Sequence, residues 1–284
     1  MRPALISPRR RGGHRGNAEK DNLPGLEICL ERRCKPTERG GSRGRGKDLP
    51  KVRRSTRRFC GLAVLLSGAA WAQTGFPFQN ESLRYSINWP SGLSLGDSSL
   101  SATRTEAGWS FDVKVNAAIP GFPIADRLQS MVANDLCSVE MSRDLNQAGK
   151  KTHEKTEFDQ AKGAAHRTTL FPEGGGKSDF DIPACARDVV AFLYFTRWEL
   201  GQGRVPPPQQ VFYGAAYSVR MEYTGAQNIR AGDKVAVTDR LVTYVKGPKS
   251  DFNFEVLYAR DAARTPLVIR VPLRMGTFSA ELVR

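Results

Sequence analysis

The stretch Leu83-Arg-Tyr-Ser-Ile-Asn-Trp89 alternates large apolar and polar residues along its whole length. Successive side chains of a β-strand point to opposite faces, so a period of two predicts a strand with one face in a core and the other in water. Strands of this kind are typical of antiparallel sheets. The stretch therefore predicts a β-protein assembled from half-buried strands.

The same alternation recurs further along the chain, in Phe111-Asp-Val-Lys-Val-Asn116, Val219-Arg-Met-Glu-Tyr223 and Phe254-Glu-Val256. Turn-forming residues separate the alternating runs, at Gly108, Ala161–Gly163, Gly174–Gly176, Ala231–Asp233 and Gly247–Pro248. Spacing of this kind predicts about ten strands in a mostly-β fold. We expect a strongly curved antiparallel sheet, or a partly closed barrel or sandwich.

One segment departs from the β pattern. Asp188-Val-Val-Ala-Phe-Leu-Tyr-Phe-Thr-Arg-Trp-Glu-Leu200 is apolar on almost every side, and Gly201 suits the end of a helix. Asp188 is a favourable residue at the start, where its carboxylate can accept from free backbone N–H groups. The segment predicts one buried helix over about 188–200, lying deep against the sheet.

Two charged residues of this helix, Asp188 and Arg197, are too far apart around its circumference to pair with each other. A buried charge without a partner is costly, so each is expected to meet a group from the sheet. In the favoured interpretation these pairs fix the helix in place, which gives Asp188 a structural role. In the alternative, Arg197, with Tyr194 and Trp198, lines a cavity and binds the carboxylate or phosphate of a ligand.

The N-terminal part of the chain has the layout of a secretory signal peptide. A basic cluster, Lys51–Arg58, precedes the short apolar run Phe59–Ala72, which ends in the small-x-small sequence Ala70-Trp-Ala72. The run is too short for a mature membrane helix. We expect a Sec-type signal peptide over 52–72, cleavage between Ala72 and Gln73, and a single periplasmic β-rich domain over 73–284 without a stable membrane span.

Residues 1–51 are Arg/Gly-rich and predict disorder. They are either an RNA-binding or anchoring tail or, as we favour, sequence upstream of the true start codon. Residues 1–72 contain 18 Lys/Arg and 6 Asp/Glu, which leaves 25 basic and 23 acidic residues in the remainder. The mature domain therefore lacks the positive charge that nucleic-acid binding requires, and no nucleic-acid partner is expected.

Two of the five cysteines, Cys137 and Cys185, follow the predicted cleavage point. An even pair in an oxidising compartment most simply forms one disulfide. Cys60 lies ahead of the apolar run rather than after it, so lipidation is not expected.

The sequence gives little sign of catalytic or metal chemistry. A hairpin turning at 161–163 would place His166 opposite Glu157 and leave His153 about four residues further along, which separates the two imidazoles too widely for joint zinc binding. No G-x-S-x-G or P-loop motif occurs. No metal or other cofactor is expected, and an enzyme is disfavoured.

Four segments together resemble the bacterial domain-of-unknown-function 3108 family, over roughly residues 76–284: Phe78–Tyr85, Cys185–Arg197, Asp261–Pro266 and Pro272–Leu282. The resemblance implies an exported envelope protein on a strongly bent antiparallel sheet, similar to lipoprotein-carrier half-barrels. The family has no agreed activity, so it supplies no catalytic residues.

Three functions stay open at this point. The favoured one is a non-enzymatic envelope protein that binds an apolar or amphiphilic ligand, or an envelope partner, on a concave β-surface closed by the helix. The second is a structural or assembly factor that pairs through a sheet edge. The third is a hydrolase. A deep apolar cavity beneath the helix would favour the first, a filled interior with a long uncovered edge the second, and a serine within reach of a base in a cleft the third.

Overall fold

The computed structural model describes Phe78 and residues 80–231, 234–248, 251–273 and 276–283. The predicted signal peptide, its cleavage between Ala72 and Gln73, and the Arg/Gly-rich segment lie outside the described residues. They stay predictions.

The described chain contains fifteen strands and one helix. The strands are β1 (Glu81–Asn88), β2 (Ser94–Arg104), β3 (Trp109–Ile119), β4 (Phe122–Val132), β5 (Ser138–Gln147), β6 (Lys150–Asp159), β7 (Ala164–Phe171), β8 (Lys177–Asp181), β9 (Arg187–Asp188), β10 (Gln209–Phe212), β11 (Ala216–Ala231), β12 (Lys234–Lys246), β13 (Asp251–Ala259), β14 (Pro266–Leu273) and β15 (Gly276–Leu282). The helix α1 (Val189–Gly201) follows β9 directly. None of the helical structure in the described ranges is long and apolar enough to span a membrane.

All fifteen strands belong to one sheet, with β1 and β15 side by side in its middle. From β1 the order runs outward to β8, and from β15 it runs back through the chain to β9. Neighbouring strands are antiparallel except β9 and β10, which are parallel. The mostly-β antiparallel prediction is confirmed, but the expectation of about ten strands is too low. Strands such as β2, with Ser98, Ser99 and Ser101, carry too little apolar alternation to be recognised.

The sheet curls on itself, but its two edge strands, β8 and β9, are not paired with each other by backbone hydrogen bonds. At the curl, the backbone N–H of Ser138 donates to the carbonyl of Ala186, just before β9. The side chain of Gln160 donates to the carbonyls of both residues and accepts from the N–H of Ala186. Further out, Phe158 of β6 packs edge-to-face on Phe212 of β10. The β9–β10 end of the sheet is therefore joined to β5 and β6 mainly by side chains and single hydrogen bonds.

Helix α1 lies in the concave side of the curl, and aromatic side chains fill the space around it. The ring of Tyr194 stacks on Phe111 of β3 at 3.8 Å between centroids and meets the edge of Phe78 at 5.3 Å. Trp109 and Val219 belong to the same buried cluster. The helix thus serves as part of the core, as its apolar sequence predicts.

Both edges of the sheet are short. Strand β8 has five residues, and its Lys177, Asp179 and Asp181 are exposed charges. Strand β9 has two residues, beside the hydrogen bond from Ser138 to Ala186. Short, charged or covered edges are the usual protection against pairing with another chain. The long uncovered edge that strand addition requires is not seen among the described strands.

Candidate functional site

Arg197 joins the helix to the first strand. Its guanidinium donates to both carboxylate oxygens of Glu81 and, through Nε, to the carbonyl of Ala263 at 3.0 Å. It also lies over the ring of Phe78, 4.1 Å from the centroid. Burial alone would lower the pKa of Arg197, but the hydrogen bonds and charge of Glu81 outweigh burial and raise that pKa. With its side chain fully buried, this arrangement favours the structural interpretation of Arg197.

Asp188 caps the N-terminus of α1. One carboxylate oxygen accepts from the backbone N–H groups of Val190 and Ala191, at 2.8 and 3.0 Å. The other accepts from the hydroxyls of Ser130 and Ser138, both at 2.6 Å. Burial raises the pKa of Asp188, and the four donors act against that rise. The residue therefore fixes the start of the helix to β4 and β5.

Tyr194 and Trp198, predicted with Arg197 as ligand-binding residues, lie in different surroundings. Tyr194 is in the aromatic core, with its ring centroid 5.0 Å from the guanidinium of Arg197. Trp198 is 36% exposed and lies beside Phe195. None of the four principal grooves in the described structure is lined by Arg197, Tyr194 or Trp198. No groove therefore unites the three residues, and their ligand-binding role stays a prediction.

The predicted disulfide is present between Cys137 and Cys185. It joins the segment before β5 to the segment before β9, next to the Ser138–Ala186 hydrogen bond. Asp135 lies close to the two sulfurs, but cysteines joined in a disulfide offer no thiolates to a metal. The bridge adds a covalent link to the hydrogen bond that joins these two segments.

Two open depressions adjoin β10, and we call them together the β10 groove. They share the lining residues Pro208, Gln209 and Gln210. The first, of about 620 Å³, is also lined by Val219, Arg220, Tyr244, Val245, Lys246 and Phe252, among others. The second, of about 600 Å³, is also lined by Ile182, Pro183, Cys185, Arg187, Phe195 and Pro207, among others.

Cross-strand pairing places the lining of the first depression on two faces of the sheet. Phe252 shares one face with Val219 and Val245, and Tyr244 shares the opposite face with Arg220 and Lys246. Phe252 is 47% exposed and Tyr244 36% exposed. The guanidinium of Arg220 lies 4.3 Å from the ring centroid of Tyr244, and Lys246 is exposed nearby on the same strand. Apolar walls with a few polar groups at the rim are typical of ligand-binding depressions.

The second depression contains Arg187, whose protein partners are all neutral. Its guanidinium stacks on Phe195, 3.7 Å from the ring centroid. One terminal nitrogen donates to the side-chain oxygen of Gln209 at 3.1 Å, and the other lies 3.0 Å from the sulfur of Cys185. Burial lowers the pKa of Arg187. The sequence pattern does not single out Arg187, because only the fold brings it against Phe195 and Gln209.

A second grouping missed by the sequence analysis lies on β5 and β6. The hydroxyl of Ser142 is 3.2 Å from Nε2 of His153, and Nδ1 of His153 is 3.4 Å from a carboxylate oxygen of Asp144. Asp144 and His153 line an open groove of about 440 Å³. The predicted hairpin is confirmed, with His166 opposite Glu157. His166 instead pairs with Asp179 at 2.8 Å.

Comparisons with known proteins agree with the fold. A crystal structure of a β-barrel-like protein of the domain of unknown function DUF1849 from Brucella abortus superposes with a TM-score of 0.54 at 7% identity, covering 74% of this chain and 98% of that one. At this identity the likeness concerns the fold alone. A comparison with curated proteins found no significant match. The sequence profile of the DUF3108 family, described as proteins of unknown function, matches residues 84–283. The chain therefore belongs to the DUF3108 family.

Proposed function

We propose that this protein is an exported envelope protein that binds an amphiphilic molecule in the β10 groove. The observation that carries the proposal is the open, mostly apolar groove in which the exposed ring of Phe252 lies on the same face as Val219 and Val245. Each depression is of the size that small-molecule sites have in proteins. An exposed ring on an apolar face suits the chain of an amphiphilic ligand, whose polar end would lie at the open rim of the groove.

The space beneath the helix is too tightly packed to be the proposed binding site. Phe78, Phe111 and Tyr194 occupy that space and are all less than 1% exposed. Binding there would displace core side chains, at a cost of several kcal/mol. The β10 groove is already open and needs no such rearrangement.

A neutral fluorescent amphiphile, N-phenyl-1-naphthylamine, tests the binding proposal. We expect saturable fluorescence enhancement with the purified domain, and an affinity at least about fivefold weaker in Phe252→Ser, because one aromatic wall is lost. Phe122→Ser is the matched control, since Phe122 is 44% exposed but lies outside the groove. Equal affinities in the wild type and both variants, or no saturable binding, would contradict the proposal.

Export is the other part of the proposal. It is supported by the disulfide, since disulfides persist in oxidising compartments, and by the signal-peptide pattern in the sequence. Cell fractionation with N-terminal mass mapping should find the protein in the periplasm, beginning at Gln73. Recovery only from the cytoplasm with both cysteines reduced would contradict it.

A second candidate function, ester hydrolysis, is favoured by one observation: Ser142 is hydrogen-bonded to Nε2 of His153, and a carboxylate oxygen of Asp144 lies 3.4 Å from Nδ1 of the same ring. In such an arrangement the serine oxygen attacks the ester carbonyl while Nε2 of the histidine takes its proton and passes it to the leaving alcohol. Water then hydrolyses the acyl-serine with the same histidine as base. Because His153 is 40% exposed, water competes strongly, and only slow turnover is expected.

Hydrolysis of p-nitrophenyl acetate tests this candidate. Ser142→Ala should remove the activity, and a fluorophosphonate should label Ser142. His166→Gln is the matched control, because the His166–Asp179 pair is also exposed but no serine bonds to it in the described structure. If Ser142→Ala keeps the wild-type rate, or if both variants lose activity equally, the hydrolase candidate is rejected.

A further inference from the structure

We infer that Arg187 is the anion-binding point of the β10 groove, and that the ligand is a single-chain amphiphile with a carboxylate or phosphate head. This inference rests on the proposed function and adds the chemical class of the ligand and the residue that recognises it. The anion-binding point lies in the second depression, which Arg187 lines together with Ile182, Phe195 and Pro207.

The charge of Arg187 is not neutralised by a direct ion pair. Within the described residues, no carboxylate lies within ion-pair distance of its guanidinium; Asp135 and Glu199 act on it only through space. The two buried arginines Arg143 and Arg197 have Glu154 and Glu81 as direct partners. Arg187 therefore lacks the direct carboxylate partner that offsets the desolvation cost of a buried cation.

The guanidinium has hydrogen-bond capacity to spare. Arginine carries five N–H donors in a planar fork, and only one meets a protein oxygen here, that of Gln209. The contact with the sulfur of Cys185 is a weak one, and the buried Nε has no partner in the described structure. The terminal nitrogens can therefore still donate to an anion, and their fork matches carboxylate and phosphate oxygens.

The walls around Arg187 favour an anion that carries an apolar chain. Phe195 holds the guanidinium plane in position by stacking, and Ile182, Pro183 and Pro207 provide apolar surface. The exposed carboxylate of Asp181 also lines the depression but forms no ion pair with Arg187 in the described structure. Partial desolvation strengthens a charge-assisted hydrogen bond made here. A free inorganic anion would lack the apolar contacts, so the chain and the head are expected to bind together.

Displacement of N-phenyl-1-naphthylamine tests the inference, with each competitor kept below its micelle-forming concentration. The competitors are laurate, neutral dodecyl maltoside and inorganic phosphate. We expect laurate to displace the probe from the wild type. In Arg187→Met, laurate should need an about tenfold higher concentration, as the loss of a charge-assisted hydrogen bond implies. Dodecyl maltoside should be unaffected by the substitution.

Arg167→Met is the matched control. Arg167 is also a partly buried arginine without a carboxylate partner in the described chain; it donates to Ser178 and to the carbonyl of Gly214 and lies outside the groove. This variant should bind laurate like the wild type. Circular dichroism and melting curves confirm that both variants are folded.

The outcomes separate the two proposals. If the wild type binds neither the probe nor any amphiphile, the proposed function itself fails. If the probe binds but Arg187→Met leaves laurate displacement unchanged, or if Arg167→Met weakens it equally, only the role of Arg187 is overturned. If millimolar phosphate blocks laurate binding completely, the groove recognises a free anion, and the amphiphile class is wrong.

Discussion

The pair of Arg197 and Glu81 connects residues 116 positions apart in the sequence, one on the helix and one on the first strand. Both oxygens of the carboxylate are engaged, and Ala263 accepts from the third donor. Such a pair gains little over a well-packed apolar pair, but removing one partner leaves a buried charge. Replacing only Arg197 or only Glu81 is therefore expected to destabilise the fold strongly.

Arg197→Met should lower the free energy of unfolding by about 3–5 kcal/mol, because Glu81 is left unpaired near the core. Urea unfolding followed by circular dichroism measures the change. Replacing both residues, with Glu81→Gln, should recover part of the loss. Arg220→Met is the control: its pair with Glu222 is exposed, so little change is expected. A melting curve of Arg197→Met equal to that of the wild type would contradict the structural role.

Some roles of single residues follow from the sequence, but the contacts they make across the fold do not. Asp188 was identified as a favourable start for the helix, and the structure places it as the cap. The sequence does not predict the hydrogen bonds from Ser130 and Ser138 to the second carboxylate oxygen of Asp188. Serines are common, and these contacts span 58 and 50 residues. Arg187 was overlooked for the same reason, since its isolation from acids is a property of the fold.

Among the elements, β12 is held to the β13–β14 connection by one carboxylate. Asp239 accepts from Arg260 at 2.7 Å and from Arg264 at 2.8 Å. Burial alone would raise the pKa of Asp239, but the hydrogen bonds from Arg260 and Tyr223 and the nearby cationic charges outweigh burial and lower it. The unfolded chain therefore takes up the proton at higher pH than the folded one does.

This direction gives a pH dependence. The stabilisation from ionised Asp239 is fully present above its ordinary pKa near 3.8 and is lost as pH falls through the lower folded value. Asp239→Asn should destabilise the protein at neutral pH and flatten the acid side of its stability curve, as measured by urea unfolding at several pH values. Asp181→Asn, at an exposed carboxylate of the edge strand, should leave the curve unchanged. An unaltered acid slope in Asp239→Asn would contradict the assignment.

The disulfide joins the segments before β5 and β9, two strands that are not paired with each other in the sheet. Cys137 and Cys185 are 48 positions apart. In the chain-entropy model, closing a loop of this length stabilises the fold by about 4 kcal/mol. The double variant Cys137→Ser/Cys185→Ser should show a loss of that order, and thiol treatment of the wild type should reproduce it. A wild type that melts identically with and without reductant would show that the bridge does not stabilise the curl.

At the scale of the elements, strands with an apolar period of two could be predicted from the sequence, whereas strands of mostly polar residues could not. The alternating runs at 83–89, 111–116, 219–223 and 254–256 coincide with β1, β3, β11 and β13. The helix begins one residue after its predicted cap. Strand β8 is not recognisable in the sequence, because five residues with exposed charges resemble a loop, and β9 is not recognisable because two residues are too few to show a period.

At the scale of the whole molecule, the order of strands could not be read from the sequence. Hairpins are local and follow from turn residues, as at 161–163, but the pairing of β1 with β15 depends on contacts across nearly the whole domain. The curl has the same origin. The sequence therefore indicated a bent sheet with a buried helix, while the position of the β10 groove emerged only from the folded chain.

The central claim is that this DUF3108 protein carries an amphiphilic ligand in the β10 groove. Native mass spectrometry of the protein, purified without detergent from the periplasm of its own host, tests it most directly. We expect a chain that begins at Gln73, is two hydrogens lighter than its reduced form, and holds an anionic amphiphile that is released on denaturation and depleted in Arg187→Met. A bare chain, or an adduct retained equally by Arg187→Met and the wild type, would contradict it.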